Sequence, residues 1–96
     1  MAAYETHTNL PMTDAVARAR EFFEMKQGLA VKQRFGPRMV WEGEAGDRIE
    51  LRAFPIKGGG TRLELETLHS DELVLTFIKE LPHPSLLDDL RKRFRG

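Results

Sequence analysis

The sequence predicts a single α+β domain, in which an antiparallel sheet of four to five strands has helices packed on one face. Two observations carry this prediction. Four short central segments alternate apolar and polar residues, which is typical of strands with one buried face. Apolar residues also recur at helical spacing both before and after these segments. The predicted order of elements is (β)αββββα(α), where the parentheses mark the elements with the weakest patterns.

The alternating segments span residues 29–35, 39–44, 48–54 and 62–68. A weaker alternation over residues 4–10 predicts an edge strand before them. In the first of the four segments, Leu29, Val31 and Phe35 are expected on the apolar face, and Lys32 and Arg34 on the other. Turn residues separate the segments at 36–37, 45–47 and 58–60.

The apolar sides of neighbouring strands must face each other, because a slip of one residue would bury every charge. Under this register Arg52 lies near Glu64 or Glu66. Arg48 is likewise expected near the acidic residues at positions 42 and 44. The outer face of the sheet is therefore predicted to be a ladder of mixed charges, which is a poor surface for a polyanion.

Two helices flank the predicted sheet. The first covers residues 14–27, with Thr13 as its N-cap, Asp14 in its first turn and Gly28 at its C-cap. Residues 71–81 favour a second helix because Ser70 can cap it and Pro82 ends it. The same residues also alternate, so a strand stays open there. A short basic helix is predicted over residues 86–95.

Composition limits the class of protein. The chain has 96 residues, enough for one domain over 1–96, to which residues 1–10 and 83–96 are expected to be loosely attached. Fifteen basic and fifteen acidic residues give a formal net charge of zero, so a nucleic-acid partner is not expected. Cysteine is absent, which excludes disulfides and thiolate chemistry. We expect a cytoplasmic protein with neither a signal peptide nor a membrane span.

No motif points to catalysis. Residues 69–71 contain the three residue types of a hydrolase triad, but adjacent side chains diverge whereas a triad needs them to converge. Asp88 and Asp89 lie about 100° apart on a helix and therefore do not face each other. The histidines are dispersed at His7, His69 and His83. The glycines at 58–60 lack the Lys-Ser/Thr that follows a phosphate-binding loop. The sequence predicts no catalytic residue, metal ligand or cofactor, and hence not an enzyme.

Two apolar groups are candidates for binding. The single tryptophan lies on the apolar side of an inner strand, where it is either part of the core or the wall of a pocket between the sheet and the first helix. The residues predicted to bind a small apolar ligand in such a pocket are Trp41, Met39, Leu51, Phe22 and Phe23. The second group is the stripe Leu87, Leu90 and Phe94 on the C-terminal helix, which is predicted to contact a protein.

The strand end at Leu10-Pro11 runs into a helix that begins Asp14-Ala15-Val16. This step resembles the start of the first helix in the START-like lipid-binding superfamily, whose members enclose a cavity between a long helix and a curved antiparallel sheet. The resemblance implies a small apolar ligand.

The chain also has a histidine near its N-terminus (His7), an Ala/Arg-rich first helix and a Trp-x-Gly step at residues 41–43 before glycine-containing hairpins. In these features it is similar to the small polyhydroxyalkanoic-acid-system protein family. Neither resemblance implies catalytic residues.

These observations predict a non-enzymatic protein-interaction module. The predicted partner is a second copy of the chain or another protein, bound through the C-terminal helix. The alternative is a carrier of a small apolar ligand in a cavity between the sheet and the first helix.

Overall fold

The computed structural model describes residues 2–82, which form an α+β fold with one five-stranded antiparallel sheet and helices on one face. The spatial order of the strands is β1-β5-β4-β3-β2. The strands are β1 (Ala2–Thr8), β2 (Ala30–Phe35), β3 (Arg38–Glu42), β4 (Arg48–Pro55) and β5 (Thr61–Leu68). The helices are α1 (Met12–Arg20), a π-helical segment that continues it (Glu21–Lys26), and α2 (Asp71–Glu80). The predicted fold class and order of elements over these residues are confirmed.

The first helix begins two residues earlier than its sequence predicts. Pro11, not Thr13, is the capping residue, and no side chain caps the helix. The Ala15 amide donates to the Pro11 carbonyl at 2.9 Å, so Met12 is already helical. Proline fits this capping position because the backbone there is extended, with φ −58° and ψ 157°, and this φ is one that the proline ring allows. At the other end, Gly28 follows the capping residue Gln27 with φ +69°, which confirms the predicted glycine stop.

The core lies between the sheet and the two helices. Ala15, Ala19, Phe22 and Phe23 supply its helical side, and the inward residues of β3, β4 and β5 supply its other side. The Phe23 ring contacts both Trp41 and Phe77, with centroid distances of 4.9 and 5.1 Å. These aromatic contacts join the sheet, α1 and α2 into one core. The buried inward residues of the sheet are Met39, Trp41, Ile49, Leu51, Ala53, Leu63 and Leu65.

Because β2 contains a bulge, the predicted orientation of its last residues is wrong. The register with β3 shifts between Val31 and Gln33, so the residues after the bulge change sides. Arg34 pairs with the inward residue Met39, and Phe35 pairs with an outward residue. Phe35, expected on the apolar face, is therefore 82% exposed, and Arg34 lies on the helix-covered face. Alternation alone gives no sign of an inserted residue, which is why the sequence pattern failed here.

Both ends of α2 are attached to β1. Residues 71–80 are a helix, which settles the helix-or-strand alternative, and Leu75 lies off its buried face with 42% exposure. Tyr4 Oη donates to Asp71 Oδ2 at 2.8 Å at the start of α2. Beyond its end, the Pro82 carbonyl accepts hydrogen bonds from the Thr8 hydroxyl and the Asn9 amide. Residues 2–8, expected to be loosely attached, pair with β5 along their whole length.

Candidate functional site

A shallow apolar groove lies along the flank of α1 that faces the β2–β3 turn. It has a volume of about 410 Å³. Its walls are Met12, Thr13, Val16, Ala17 and Arg20 from α1, and Gly36 and Pro37 from the turn. We call this feature the α1 groove. Its lining is mostly apolar and is not covered by any other part of residues 2–82, which is the usual character of a contact surface for another apolar segment.

The turn that forms one wall of the α1 groove is fixed by the sequence. Gly36 has φ +58°, a conformation that glycine adopts without a Cβ penalty. The Pro37 carbonyl accepts a hydrogen bond from the Ala53 amide at 3.0 Å, which ties the turn to β4. The groove wall is therefore a rigid part of the sheet and not a free loop.

Glu24 joins the groove side of the helix to the core. Its Oε2 accepts a hydrogen bond from the Trp41 indole N–H at 3.1 Å, which satisfies the only polar atom of a fully buried side chain. Arg20 Nε lies 3.5 Å from the same oxygen, and Arg34 Nη2 lies 3.8 Å from Glu24 Oε1. The π-helical turn brings this carboxylate over the core while Phe22 and Phe23 both stay buried. The bulge in β2 places the Arg34 guanidinium near the Glu24 carboxylate.

The five residues predicted to bind a small apolar ligand all lie in the packed core. Trp41, Phe23 and Leu51 have no exposed surface, and Met39 and Phe22 have at most 5%. Phe22 alone among them lines a surface cleft, one of about 300 Å³ between the first helix and α2. Ionic residues surround that cleft: Arg18, Glu21, Lys26 and Glu80. Binding at the five residues stays a prediction, and it requires the aromatic contacts of the core to open.

The outer face of the sheet carries the predicted mixed-charge ladder. Arg52 Nη2 donates to Glu66 Oε1 at 2.8 Å, and Arg52 Nε lies 3.5 Å from Glu64 Oε1. The prediction of Arg52 beside either glutamate is confirmed for both. The hydrogen bond that Arg52 donates to Glu66, with the charges of the neighbouring carboxylates, raises the pKa of Arg52. This side chain is accordingly held as a fixed cation among acids.

Glu50 is the anionic counterpart at the centre of the same face. Its Oε2 accepts from Arg38 Nε and Arg52 Nη1, each at 3.1 Å, and Arg48 Nη2 lies 3.9 Å from its Oε1. Arg48 is paired in register with Glu42, as the sequence predicts. Opposite charges are thus paired along this face of the sheet.

The residues resembling a triad do not form one. His69 adopts φ +67° and is exposed, whereas the Ser70 hydroxyl is buried and has no hydrogen-bond partner within residues 2–82. The Asp71 carboxylate accepts from Tyr4 instead. Over the same residues, no three side chains of the metal-binding types lie together. Residues 58–60 close a hairpin through hydrogen bonds between Ile56 and the glycine backbone, as their sequence predicts.

Sequence reasoning missed the α1 groove. Met12 and Val16 lie at helical spacing with the buried residues Ala15 and Ala19, yet both are only partly buried and line the groove. A signal was present in Ala17, a small apolar residue on the polar side of the helix. The neighbouring wall at Gly36-Pro37 could not be assigned to this helix without the three-dimensional fold. The predicted interaction residues Leu87, Leu90 and Phe94 lie outside the described residues.

A comparison with models of protein families found no match, and a search of curated proteins found no similar sequence. The resemblances to START-like domains and to the polyhydroxyalkanoic-acid-system family therefore stay predictions. Among residues 2–82, no helix combines the length and apolar character needed to cross a membrane.

Proposed function

We propose that this chain is a non-enzymatic protein-interaction module that forms a homodimer, in which the α1 groove of one copy receives the C-terminal segment of the other. The observation that carries the proposal is the groove itself. Its mostly apolar walls are left uncovered by residues 2–82, although Met12 and Val16 of these walls also pack against the core. The zero cysteine count fits the reducing cytoplasm in which we expect it to act.

The C-terminal sequence has the chemistry that the α1 groove needs. Leu87, Leu90 and Phe94 recur at helical spacing, so a helix over these residues would present one apolar stripe. Docking of such a stripe into an apolar groove is a common mode of recognition. A helix of ten residues is about 15 Å long, which is close to the length of α1 along the groove.

The position of Pro82, the last described residue, supports exchange between two copies. Pro82 is hydrogen-bonded to Thr8 and Asn9, close in sequence to Met12 at the end of the groove. Two copies related by a two-fold axis would exchange the segments that follow Pro82 through one self-complementary contact.

Light scattering of the full chain over a hundredfold range of concentration tests this proposal. We expect a dimer that dissociates on dilution. Phe94→Asp and Ala17→Asp each place a charge in the apolar contact and should raise the dimer dissociation constant about tenfold or more. The matched control is Ala45→Asp, the same change at an exposed loop residue outside the groove, which should leave dissociation unchanged.

A monomer at every concentration would contradict the homodimer. Hydrogen exchange of the amides that line the groove then shows whether the C-terminal segment covers the groove of its own chain. Protection of α1 that Phe94→Asp removes in a monomer would mean that the segment covers the groove of its own chain, and the module would lose its proposed partner. If Ala17→Asp and Ala45→Asp raised the dimer dissociation constant equally, this would also contradict the groove as the contact site.

A further inference from the structure

The two edge strands of the sheet differ in how they are covered. β1 is held by α2 at both ends through Tyr4, Thr8 and Asn9. β2 pairs with β3 on one side, and within residues 2–82 no strand or helix pairs with its other side. Five of its six residues are exposed. β2 therefore presents unpaired backbone N–H and C=O groups to solvent.

The charges on this edge have one sign. β2 carries Lys32 and Arg34 and no acidic residue. Arg34 reaches one carboxylate, Glu24, at 3.8 Å, and both cations are well exposed. The strand ends at Phe35, which the bulge turns to the outer face with 82% of its surface exposed. A strand added here would meet cations at its centre and an apolar side chain at one end.

We propose that the β2 edge is a second binding surface, which accepts an extended acidic segment of another protein as a sixth strand of the sheet. Backbone hydrogen bonds to residues 30–35 would supply affinity, as in other cases of strand addition. Acidic side chains opposite Lys32 and Arg34 would supply selectivity. The surface is separate from the α1 groove, and the inference does not depend on the proposed homodimer.

The same charges disfavour a second copy of β2 as the occupant. Two-fold antiparallel pairing centred on Lys32 places that lysine opposite itself. Like charges directly opposite each other destabilise a strand pair, so an acidic partner fits the edge better than self-association. The bulge and the edge lysine also protect β2 from unspecific pairing.

The test uses the full chain and two capped peptides of about six residues, the usual strand length, in which valine alternates with glutamate or with lysine. We expect the glutamate peptide to shift the NMR amide signals of residues 30–35 and to bind more weakly as salt is added. Lys32→Glu should weaken its binding about tenfold. Lys57→Glu makes the same change on an exposed loop beyond β4 and should have little effect.

Three results would overturn the inference. They are the absence of any shift at saturating peptide, equal binding of the glutamate and lysine peptides, and shifts that map to α1 instead of β2. A shift at β2 that Lys57→Glu weakens as much as Lys32→Glu would also overturn it, because the effect would then follow net charge and not the edge. Dimer dissociation, measured separately, is expected to be the same in Lys32→Glu and the unmodified chain.

Discussion

At the scale of single residues, the Tyr4–Asp71 contact couples protonation to folding. The hydrogen bond to Asp71, with a small contribution from burial and the charge of the carboxylate, raises the pKa of Tyr4 above its ordinary 10.0. An acid with a raised pKa in the folded state contributes stability below its unfolded pKa and loses it as the pH rises through the folded value. The contact should therefore hold α2 to β1 at neutral pH and weaken under alkaline conditions.

Tyr4 is the only tyrosine, so ultraviolet absorbance reports its ionisation directly. We expect a titration midpoint above 10.0 in the folded chain. Asp71→Asn removes the negative charge and should lower the midpoint towards the ordinary value. Glu72→Gln, the same loss of charge at the next residue, is the control and should change it less. Equal midpoints in the unmodified chain and Asp71→Asn would refute the coupling.

Glu50 is the second residue whose effect can be predicted from its contacts. Glu50→Gln removes the charge that two arginines share and leaves Arg38 and Arg52 with a weaker acceptor. Because the residue is only 9% exposed, we expect the free energy of unfolding to fall by about 1–3 kcal/mol. Urea unfolding measures the loss. Glu44→Gln, at an exposed loop residue, should cost under about 0.5 kcal/mol, and an equal cost at both positions would contradict the prediction.

The side of the sheet on which a residue lies could be predicted only where its strand keeps a regular alternation. Met39, Ile49, Leu51, Leu63 and Leu65 are buried as predicted, because β3, β4 and β5 pair without an irregularity. Phe35 and Arg34 were assigned to the wrong faces because a bulge leaves no trace in the apolar pattern. The same bulge creates both the Arg34–Glu24 contact and the exposed end of the β2 edge.

At the scale of elements, the β4–β5 hairpin must pass close to the end of β1. Gly60 has φ +89°, and a Cβ built there would lie 2.6 Å from the Thr8 carbonyl oxygen. The glycine is therefore required both by its backbone conformation and by the space available. Because of this close approach, the hairpin lies beside the end of β1, and the strand that follows it pairs with β1.

Gly60→Ala should lower the free energy of unfolding by at least about 1–2 kcal/mol, the cost of a left-handed conformation, with an added cost for the close approach. Gly59→Ala separates the two effects, because Gly59 also has a positive φ but open space around its Cβ position. We expect Gly60→Ala to be the more destabilising of the two in urea unfolding. Similar losses in both variants would show that the contact with Thr8 adds nothing.

The elements themselves were largely predictable. Pro82 and the acidic start favour a helix over residues 71–81, although the alternation left a strand open, and the structure has a helix at 71–80. Glycine marks the three turns between β2, β3, β4 and β5, whereas the turn before α2 is made by His69 with φ +67°. The π-helical turn after Arg20 was not predictable, because Phe22 and Phe23 also fit the buried side of an ordinary helix. Its consequence is the position of Glu24 over Trp41, which is why that carboxylate did not stand out in the sequence.

At the scale of the whole molecule, the sheet and the two helices share one set of aromatic contacts. Phe77 is the only aromatic residue of α2 and contacts both Phe22 and Phe23. A helix of ten residues is too short to be stable in isolation. The stability of α2 thus depends on this packing and on the bonds to β1, and the described residues should unfold together.

Phe77→Ala tests this cooperativity. Removing a ring that is 2% exposed should lower the free energy of unfolding by about 3–5 kcal/mol. Circular dichroism reports the helices and sheet, while fluorescence of the single tryptophan reports the core between β3 and the first helix. In the unmodified chain the two urea transitions should coincide, and in Phe77→Ala they should move together to lower urea. Leu75→Ala, at an exposed position of the same helix, should move them by less than half as much. A circular-dichroism transition at lower urea than the fluorescence transition would show that α2 separates before the core opens, and would contradict a single folding unit.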